Sequence, residues 1–418
     1  MASPSFSQRL AKAQEADDQA AAYEELLVSL KSHTAPDAVA ADMKAIADSL
    51  FASEMRVVAL RNVLERFIAA LRDLDSPDLT VDVGQYTLDR IAVQPSAPLL
   101  DQVAALMELV ASAHESNDDF AEAARALAAI PLDAAQRKVT NEERVGVWVR
   151  IVRNFLEVDD TTSAETYLNK LKNVIYTVPD PTLNLHFRLS QARIQDAKRE
   201  FLSASAAYHD ISIFAPVSED ERLHTLAMAA RCAILAPAGP LRSRALGRLY
   251  KDDRAAGLDE FGMLEKMFLD RLLAPAEVDK FAHGLAPHQL ATTSDGSTVL
   301  AKAVVEHNLL AASRLYSNIG FAALGALLGL DAARAEDTTA RMIEQGRLVG
   351  RIDQIEEVIW FERGEASGEK GSGRAEVTVG KEMRHWDANV EGLAEEVENI
   401  TNALQREFPE FVAAHLVV

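Results

Sequence analysis

Apolar residues recur at intervals of three and four positions through most of the first half of the chain. This is the spacing of residues on one face of an α-helix. Segments 53–74 and 99–113 show it clearly, and prolines such as Pro77 and Pro131 fall between such segments, where helices are expected to end. The pattern predicts a series of amphipathic helices whose apolar faces pack on one another. In the first segment the apolar stripe comprises Val57, Leu60, Val63, Leu64, Phe67, Ile68 and Leu71.

Three short segments align with each other at a period of about 40 residues. They begin at Phe120, Thr161 and Phe201, and each carries an alanine at its fourth position. Small residues let neighbouring helices approach closely, and such a period is typical of two-helix repeats stacked into a solenoid. We therefore predict a mainly α-helical protein whose residues 1–215 form a right-handed helical-repeat arm of the TPR or HEAT type. An alanine-rich helical domain without true repeats is the alternative.

The pattern changes near residue 296, where three helical segments precede two β-rich segments. The helices are expected at 297–310, 321–328 and 331–345, and the strands at 347–352 and 357–361. This order is typical of a winged helix. We predict a second domain over residues 216–363, with a helical part at 216–296 and the winged helix at 297–363.

The second predicted strand of the winged helix is a candidate docking site. An exposed edge strand at Val358–Phe361 would offer its backbone N–H and C=O groups to the strand of a partner protein. The predicted interface at this edge comprises Leu348, Val349, Ile352, Val358, Ile359, Trp360 and Phe361.

The most regular apolar spacing lies near the C-terminus, in a helix predicted over residues 381–410. Large apolar residues alternate there at intervals of three and four, which is the heptad spacing of helices that pack on partner helices. The preceding segment 364–380 is rich in Gly, Glu, Lys and Ser, and we predict a disordered insert there. The predicted helix-bundle interface comprises Met383, Trp386, Val390, Leu393, Val397, Ile400, Leu404 and Phe408.

Charge argues against binding to nucleic acid. The chain has 43 Lys and Arg against 64 Asp and Glu, a net charge of −21, which repels phosphate backbones. The third helix of the winged helix, 331–345, has two basic and four acidic residues, whereas a helix that reads DNA must neutralise phosphates. A winged-helix DNA-binding regulator is therefore a remote alternative.

The sequence offers no compact catalytic or metal-binding motif. Its ten histidines are dispersed without a His-Glu-x-x-His pattern, and His307 is expected to be a structural residue of an apolar helix. The only cysteine, Cys232, lies in a helical stretch and is expected to be a buried apolar residue. We predict no catalytic residue, no metal and no cofactor. An enzyme in its own right is the third class of function considered.

The cysteine content and the segments that could direct targeting or membrane insertion favour a reducing compartment. A single cysteine excludes an internal disulfide, the first ten residues do not resemble a signal peptide, and the longest uncharged apolar run, 319–330, is too short to cross a bilayer. We therefore expect a soluble protein of the cytoplasm and nucleus that does not bind membranes.

Several longer motifs in the second half of the chain carry a resemblance to a known family. They are Leu235–Arg244, Leu249–Arg254, Leu264–Arg271, Pro287–Ser297, Ala303–Leu310 and Ile352–Ile355. Together they resemble the PCI-domain family, and within it the subunit-four family of the COP-nine signalosome. The first 200 residues resemble that family more loosely, at 119–124 and 130–132.

The resemblance implies a non-catalytic scaffold and substrate-sensing subunit of a complex that removes a ubiquitin-like modifier from cullin-RING ubiquitin ligases. Its winged helix would join those of other PCI subunits edge to edge, and its last helix would enter a shared bundle. The implied partners are the PCI subunits two and seven, the metalloprotease-fold subunit pair, and the cullin-RING ligase, which the arm would contact. A PCI subunit of the proteasome lid is the alternative within the class, and the motif at 287–297 argues against it.

Overall fold

The computed structural model describes residues 4–16, 18–33, 38–52, 55–93, 97–133, 137–292, 296–362 and 374–415. Two compact units divide the chain between Arg199 and Glu200, earlier than the predicted boundary at residue 215. Among the described residues no helix is both long enough and apolar enough to cross a membrane.

The first unit consists of helices that pack on their sequence neighbours and on the next helix but one. Thus α2 (Gln19–His33) contacts α4 (Val57–Arg72), α4 contacts α6 (Leu100–Ser116), and α8 (Asn141–Glu157) contacts α10 (Pro181–Ala197). This is the arrangement expected of stacked helical repeats. Within α4 the predicted stripe residues Val63, Leu64, Phe67, Ile68 and Leu71 are buried. The helices are α1 (Pro4–Gln14), α2 (Gln19–His33), α3 (Val39–Ala52), α4 (Val57–Arg72), α5 (Pro77–Val93), α6 (Leu100–Ser116), α7 (Phe120–Ala128), α8 (Asn141–Glu157), α9 (Thr161–Lys172) and α10 (Pro181–Ala197).

The second unit begins with helices and ends with a winged helix followed by a long helix. Its elements are α11 (Phe201–Ser212), α12 (Glu219–Leu235), α13 (Pro240–Tyr250), α14 (Phe261–Phe268), α15 (Pro275–Ala282), α16 (Pro287–Leu290), α17 (Val299–Leu315), β1 (Asn318–Gly320), α18 (Phe321–Leu328), α19 (Ala332–Glu344), β2 (Gly350–Asp353), β3 (Val358–Phe361), α20 (Arg374–Glu407) and α21 (Pro409–His415). The predicted mainly helical fold with a repeat arm and a winged helix is confirmed.

The internal repeat is visible in the backbone as well as in the sequence. Phe120, Thr161 and Phe201 are the first residues of α7, α9 and α11, and the alanines at the fourth positions are fully buried. Before each of these helices the chain passes through a residue with positive φ. These residues are Asp118 (59°), Asp159 (59°) and Arg199 (64°).

The winged helix has a three-stranded antiparallel sheet in the order β1-β3-β2. The three predicted helices and the two predicted strands are present, and β1 is an additional strand. The hydrophobic core of the winged helix contains Leu324 and Met342 from the helices and Ile359 from the central strand. The sheet therefore packs one face on the helices and leaves the other open.

The last helix, α20, begins at Arg374, before the predicted start at residue 381. The disordered insert predicted over 364–380 therefore extends too far, because Val379 lies four positions before Met383 and continues the heptad spacing. Residues 363–373, which include the rest of that prediction, lie outside the described residues. The helix ends at Glu407 and not at 410, because Pro409 disfavours helical backbone at the residue before it.

Substitution of Arg199 by glycine tests the conformation of the repeat turn. A side chain at positive φ is strained by about 1 kcal/mol or more, and glycine removes this strain. We expect Arg199→Gly to raise the free energy of unfolding by up to about 1 kcal/mol in urea denaturation. Asn173→Gly is the control, because Asn173 ends α9 with ordinary negative φ and should be destabilised. Destabilisation of Arg199→Gly by as much as the control would contradict this account.

Candidate protein-assembly interface

The predicted docking strand Val358–Phe361 is the central strand of the sheet and not an edge. Ile359 faces Ile319 of β1 on one side and Ile352 of β2 on the other. Its backbone groups are therefore used within the sheet, and the prediction of an edge at this strand was wrong. The reason is that β1 has only three residues, so its sequence contains no alternating pattern that would have indicated a strand.

The true edges of the sheet are β1 and β2. In antiparallel pairs, residues that exchange backbone hydrogen bonds alternate with residues whose N–H and C=O groups point away from the partner strand. Since the Glu362 N–H donates to the Val349 carbonyl at 3.0 Å, this alternation turns the backbone groups of Gly350 and Ile352 outward. The edge at which a partner strand could pair is therefore β2 or β1.

The side chains of the predicted edge residues divide between the core and the surface. Trp360 is 38% exposed on the open face of the sheet, where the guanidinium carbon of Arg351 lies 5.3 Å from the centre of its ring. This aromatic face is the part of the predicted set most accessible to a partner. Of the remaining six, Leu348, Ile359 and Phe361 are buried and Val349, Ile352 and Val358 are half-buried.

Helix α20 carries its heptad seam on the surface. Trp386, Leu393 and Ile400 are 65%, 62% and 60% exposed. Single apolar residues on a surface are normal, but a continuous stripe is typical of a docking face. Of the other predicted seam residues, Val390, Val397 and Phe408 are exposed, Leu404 is half-buried, and the side chain of Met383 lies outside the described residues.

The position of the winged helix depends on buried polar side chains of α17. Glu306 is 4% exposed, and its Oε1 accepts a hydrogen bond from Arg347 Nη2 at 2.9 Å. Its Oε2 accepts from the Ala238 N–H at 3.2 Å and is also paired with Arg347. Glu306 therefore links the loop after α12 to the loop after α19. Sequence analysis missed this pair, although a carboxylate within the apolar run 303–312 was a signal for it.

The next two residues of α17 hold the loop between α14 and α15. His307 Nε2 donates to the Arg271 carbonyl at 2.9 Å, and Asn308 Oδ1 accepts from the Leu273 N–H at 2.9 Å. On the other side of the imidazole, Arg242 Nη2 donates to His307 Nδ1 at 3.4 Å. The three consecutive residues Glu306, His307 and Asn308 therefore fasten α17 to the elements around it.

Burial controls the charge states at this junction. It lowers the pKa of His307 to about 4, and the positive charge of Arg242 acts in the same direction. Burial also lowers the pKa of Arg242 to about 10, against the opposing effect of the carboxylates of Glu306 and Asp270. At neutral pH His307 is thus neutral and Arg242 charged, which agrees with the structural role expected for His307.

The described residues contain no group of three or more His, Cys, Asp or Glu side chains that could hold a metal ion. Cys232 is fully buried in α12, as expected from its sequence context.

Comparison with known proteins agrees with this architecture. The family model "PSMD12/CSN4, N-terminal" matches residues 8–220, and the model of the PCI domain matches residues 265–363. Proteins named COP9 signalosome complex subunit 4 are similar over most of their lengths. The one from Neurospora crassa is 58% identical (95% of this chain and 94% of that protein), and the one from Emericella nidulans is 49% identical (90% and 91%). The one from Arabidopsis thaliana is 35% identical (86% and 88%).

A helical N-terminal part followed by a winged helix within a matched PCI domain defines a PCI-domain protein, which is a non-catalytic type of protein. The sequence identity to these relatives extends over most of the chain and assigns it to one family within this class. The chain belongs to the COP9 signalosome subunit 4 family.

Removal of the Glu306 carboxylate tests the junction. Glu306→Ala leaves the half-buried guanidinium of Arg347 and the Ala238 N–H without the carboxylate that they share, and loss of one partner of a buried ion pair costs up to about 3–5 kcal/mol. We expect a loss of this order in the free energy of unfolding, measured by chemical denaturation. Glu344→Ala, at an exposed position of α19, should change stability by less than about 0.5 kcal/mol. Equal effects of the two substitutions would contradict the role of Glu306.

The buried imidazole of His307 makes stability depend on pH. The unfolded chain takes up a proton near pH 6.5, whereas the folded chain resists protonation down to about pH 4. The contribution of His307 is therefore fully present above pH 6.5 and is lost as the pH falls towards 4, by about 3 kcal/mol in total. We expect His307→Gln, which keeps a donor and an acceptor, to flatten the stability curve between pH 6.5 and 4.5. Parallel stability curves for the wild type and the variant would show that burial does not lower the pKa of His307 in the folded chain.

Proposed function

We propose that this chain is a non-catalytic scaffold and substrate-sensing subunit of a COP9 signalosome, in which a metalloprotease-fold subunit removes a ubiquitin-like modifier from cullin-RING ligases. Its family membership and the names of its relatives support a place in that complex. In this proposal the winged helix and α20 assemble with other subunits, while the helical arm contacts the ligase.

The observation that carries the proposal is the exposed seam of α20. Complete burial of a large apolar side chain is worth about 1.5–3 kcal/mol, so covering six exposed residues of the seam contributes on the order of 10 kcal/mol before ordering costs. A helix with this pattern gains that energy by packing on other helices, and the alternative to a partner's helices is the helical arm of the chain itself. Shared helix packing is therefore the interaction that we propose for α20. The six exposed residues are Trp386, Val390, Leu393, Val397, Ile400 and Phe408.

The partners that we propose are the PCI subunits two and seven, the pair of metalloprotease-fold subunits, and the cullin-RING ligase. The sheet edges β1 and β2 provide the backbone groups for pairing with a neighbouring winged helix. We also propose the cytoplasm and nucleus as the location, because a chain with a single cysteine suits a reducing compartment.

Charged substitutions in the seam test the role of α20 in assembly. We expect the double variant Leu393→Glu, Ile400→Glu to reduce co-purification with the other signalosome subunits at least tenfold, because each carboxylate would have to be buried without a partner. Glutamate is a good helix former, so circular dichroism should show wild-type helix content.

The matched control adds the same charge to the outer face of the same helix. Asn399 and Asn402 are exposed positions outside the seam, and Asn399→Glu, Asn402→Glu should co-purify like the wild type. Wild-type recovery of the complex with the seam variant would refute the proposed docking helix.

A further inference from the structure

A cleft of about 480 Å³ opens between α17 and α19 of the winged helix. Its volume lies within the range of about 300–1,000 Å³ that is typical of protein binding pockets. Apolar side chains from three elements line it: Val305 of α17, Leu330 of the loop before α19, and Met342 of α19. The cleft thus has an apolar floor that can receive an apolar side chain.

The rim of the cleft has a positive charge, in contrast to the rest of the chain. Four basic residues line it, Lys302, Arg334, Arg341 and Arg347, against two acidic residues, Glu306 and Asp337. A local surplus of two positive charges in a chain of net charge −21 is a reversal of sign.

The charge sum over α19 concealed this reversal. Arg334 and Arg341 lie on the cleft side of the helix, whereas Glu336 Oε1 accepts a hydrogen bond from Gln354 Nε2, between β2 and β3, at 2.6 Å. Asp337 is the one acidic residue of α19 among the residues that line the cleft, so the charge sum over the whole helix understates the positive charge of the cleft.

The loop between β2 and β3, the wing, has the opposite chemistry. Its tip presents Ile355, which is 93% exposed. The tip is held in place because Asp353 Oδ1 accepts the N–H groups of Ile355 and Glu356 at 3.1 and 3.2 Å, and Glu357 follows with φ of 53°. The wing is thus an ordered acidic loop with one apolar side chain at its tip.

We propose that the cleft between α17 and α19 binds the acidic wing of a neighbouring winged-helix subunit, whose apolar tip enters the cleft while its carboxylates face Lys302 and Arg334. The wing of this chain shows the required chemistry, an apolar tip between carboxylates, and is the matching element for a neighbour on its other side. A contact of this kind is heterologous, because it joins two different surfaces, and the same pair of surfaces can therefore be used again between the next two subunits. The inference rests on the proposed assembly of this chain with other PCI subunits.

A protein loop fits the cleft better than duplex DNA does. DNA recognition needs a protruding helix that enters the major groove, whereas the basic residues here surround a depression with an apolar floor. Arg347 is paired with Glu306, and Arg341 is paired with Asp337. The net charge of the chain also repels a phosphate backbone.

Site-specific photo-crosslinking in the assembled complex tests the proposal. Thr338 lines the cleft and is half-buried, and we would replace it by p-benzoylphenylalanine in the full chain, assembled with the other signalosome subunits. Irradiation and mass spectrometry should identify a crosslink to the β2–β3 loop of a second winged-helix subunit. The double variant Lys302→Glu, Arg334→Glu changes two exposed positions. Combined with the crosslinker at position 338, it should reduce the crosslink yield at least tenfold.

The control reverses two charges far along the chain. Arg66→Glu, Arg125→Glu changes exposed residues of the first unit and should leave the crosslink yield unchanged. If the complex assembles but Thr338 crosslinks to another part of a protein, or to nothing, the inference is wrong and the proposed function stands. Salt-sensitive binding of a labelled DNA duplex that is lost in Lys302→Glu, Arg334→Glu would also overturn it. Failure of the wild-type chain to assemble would refute both.

Discussion

The winged helix of this protein is held in position by three adjacent polar side chains within the interior of α17. Glu306, His307 and Asn308 satisfy backbone and guanidinium groups from three separate loops and from α13, at distances between 2.9 and 3.4 Å. A buried ion pair adds little net stability over an apolar core, but its geometry is specific, since leaving one member unpaired is costly. These hydrogen bonds of α17 therefore fix the positions of the sheet, the cleft and the wing.

The surfaces that remain open on the second unit suit different kinds of contact. The seam of α20 is a long apolar stripe for helix packing, the edges of the sheet offer backbone groups, and the cleft between α17 and α19 offers positive charge around an apolar floor. None of the three is a catalytic arrangement. Together they are the surfaces on which the proposed assembly with neighbouring subunits depends.

Periodicity explains which parts of the fold could be predicted. The 40-residue period and the alanines at positions 123, 164 and 204 correctly located the starts of three helices, because close helix packing demands small residues at fixed intervals. Strand β1 could not be predicted from three residues, and without β1 the strand β3 would be an edge of the sheet. The Glu306–Arg347 pair joins residues 41 positions apart, which no local pattern records. The cleft was missed because a charge sum over α19 ignores which face each charge occupies.

The hydrogen bonds at the tip of the wing have a consequence for any partner that covers Ile355. Asp353 fixes two successive N–H groups, and Gln354 is anchored to α19, so the loop is ordered before an encounter. Binding would then cost little conformational entropy, and a contact of small area could still be selective. Such a contact can form and break without refolding of the loop.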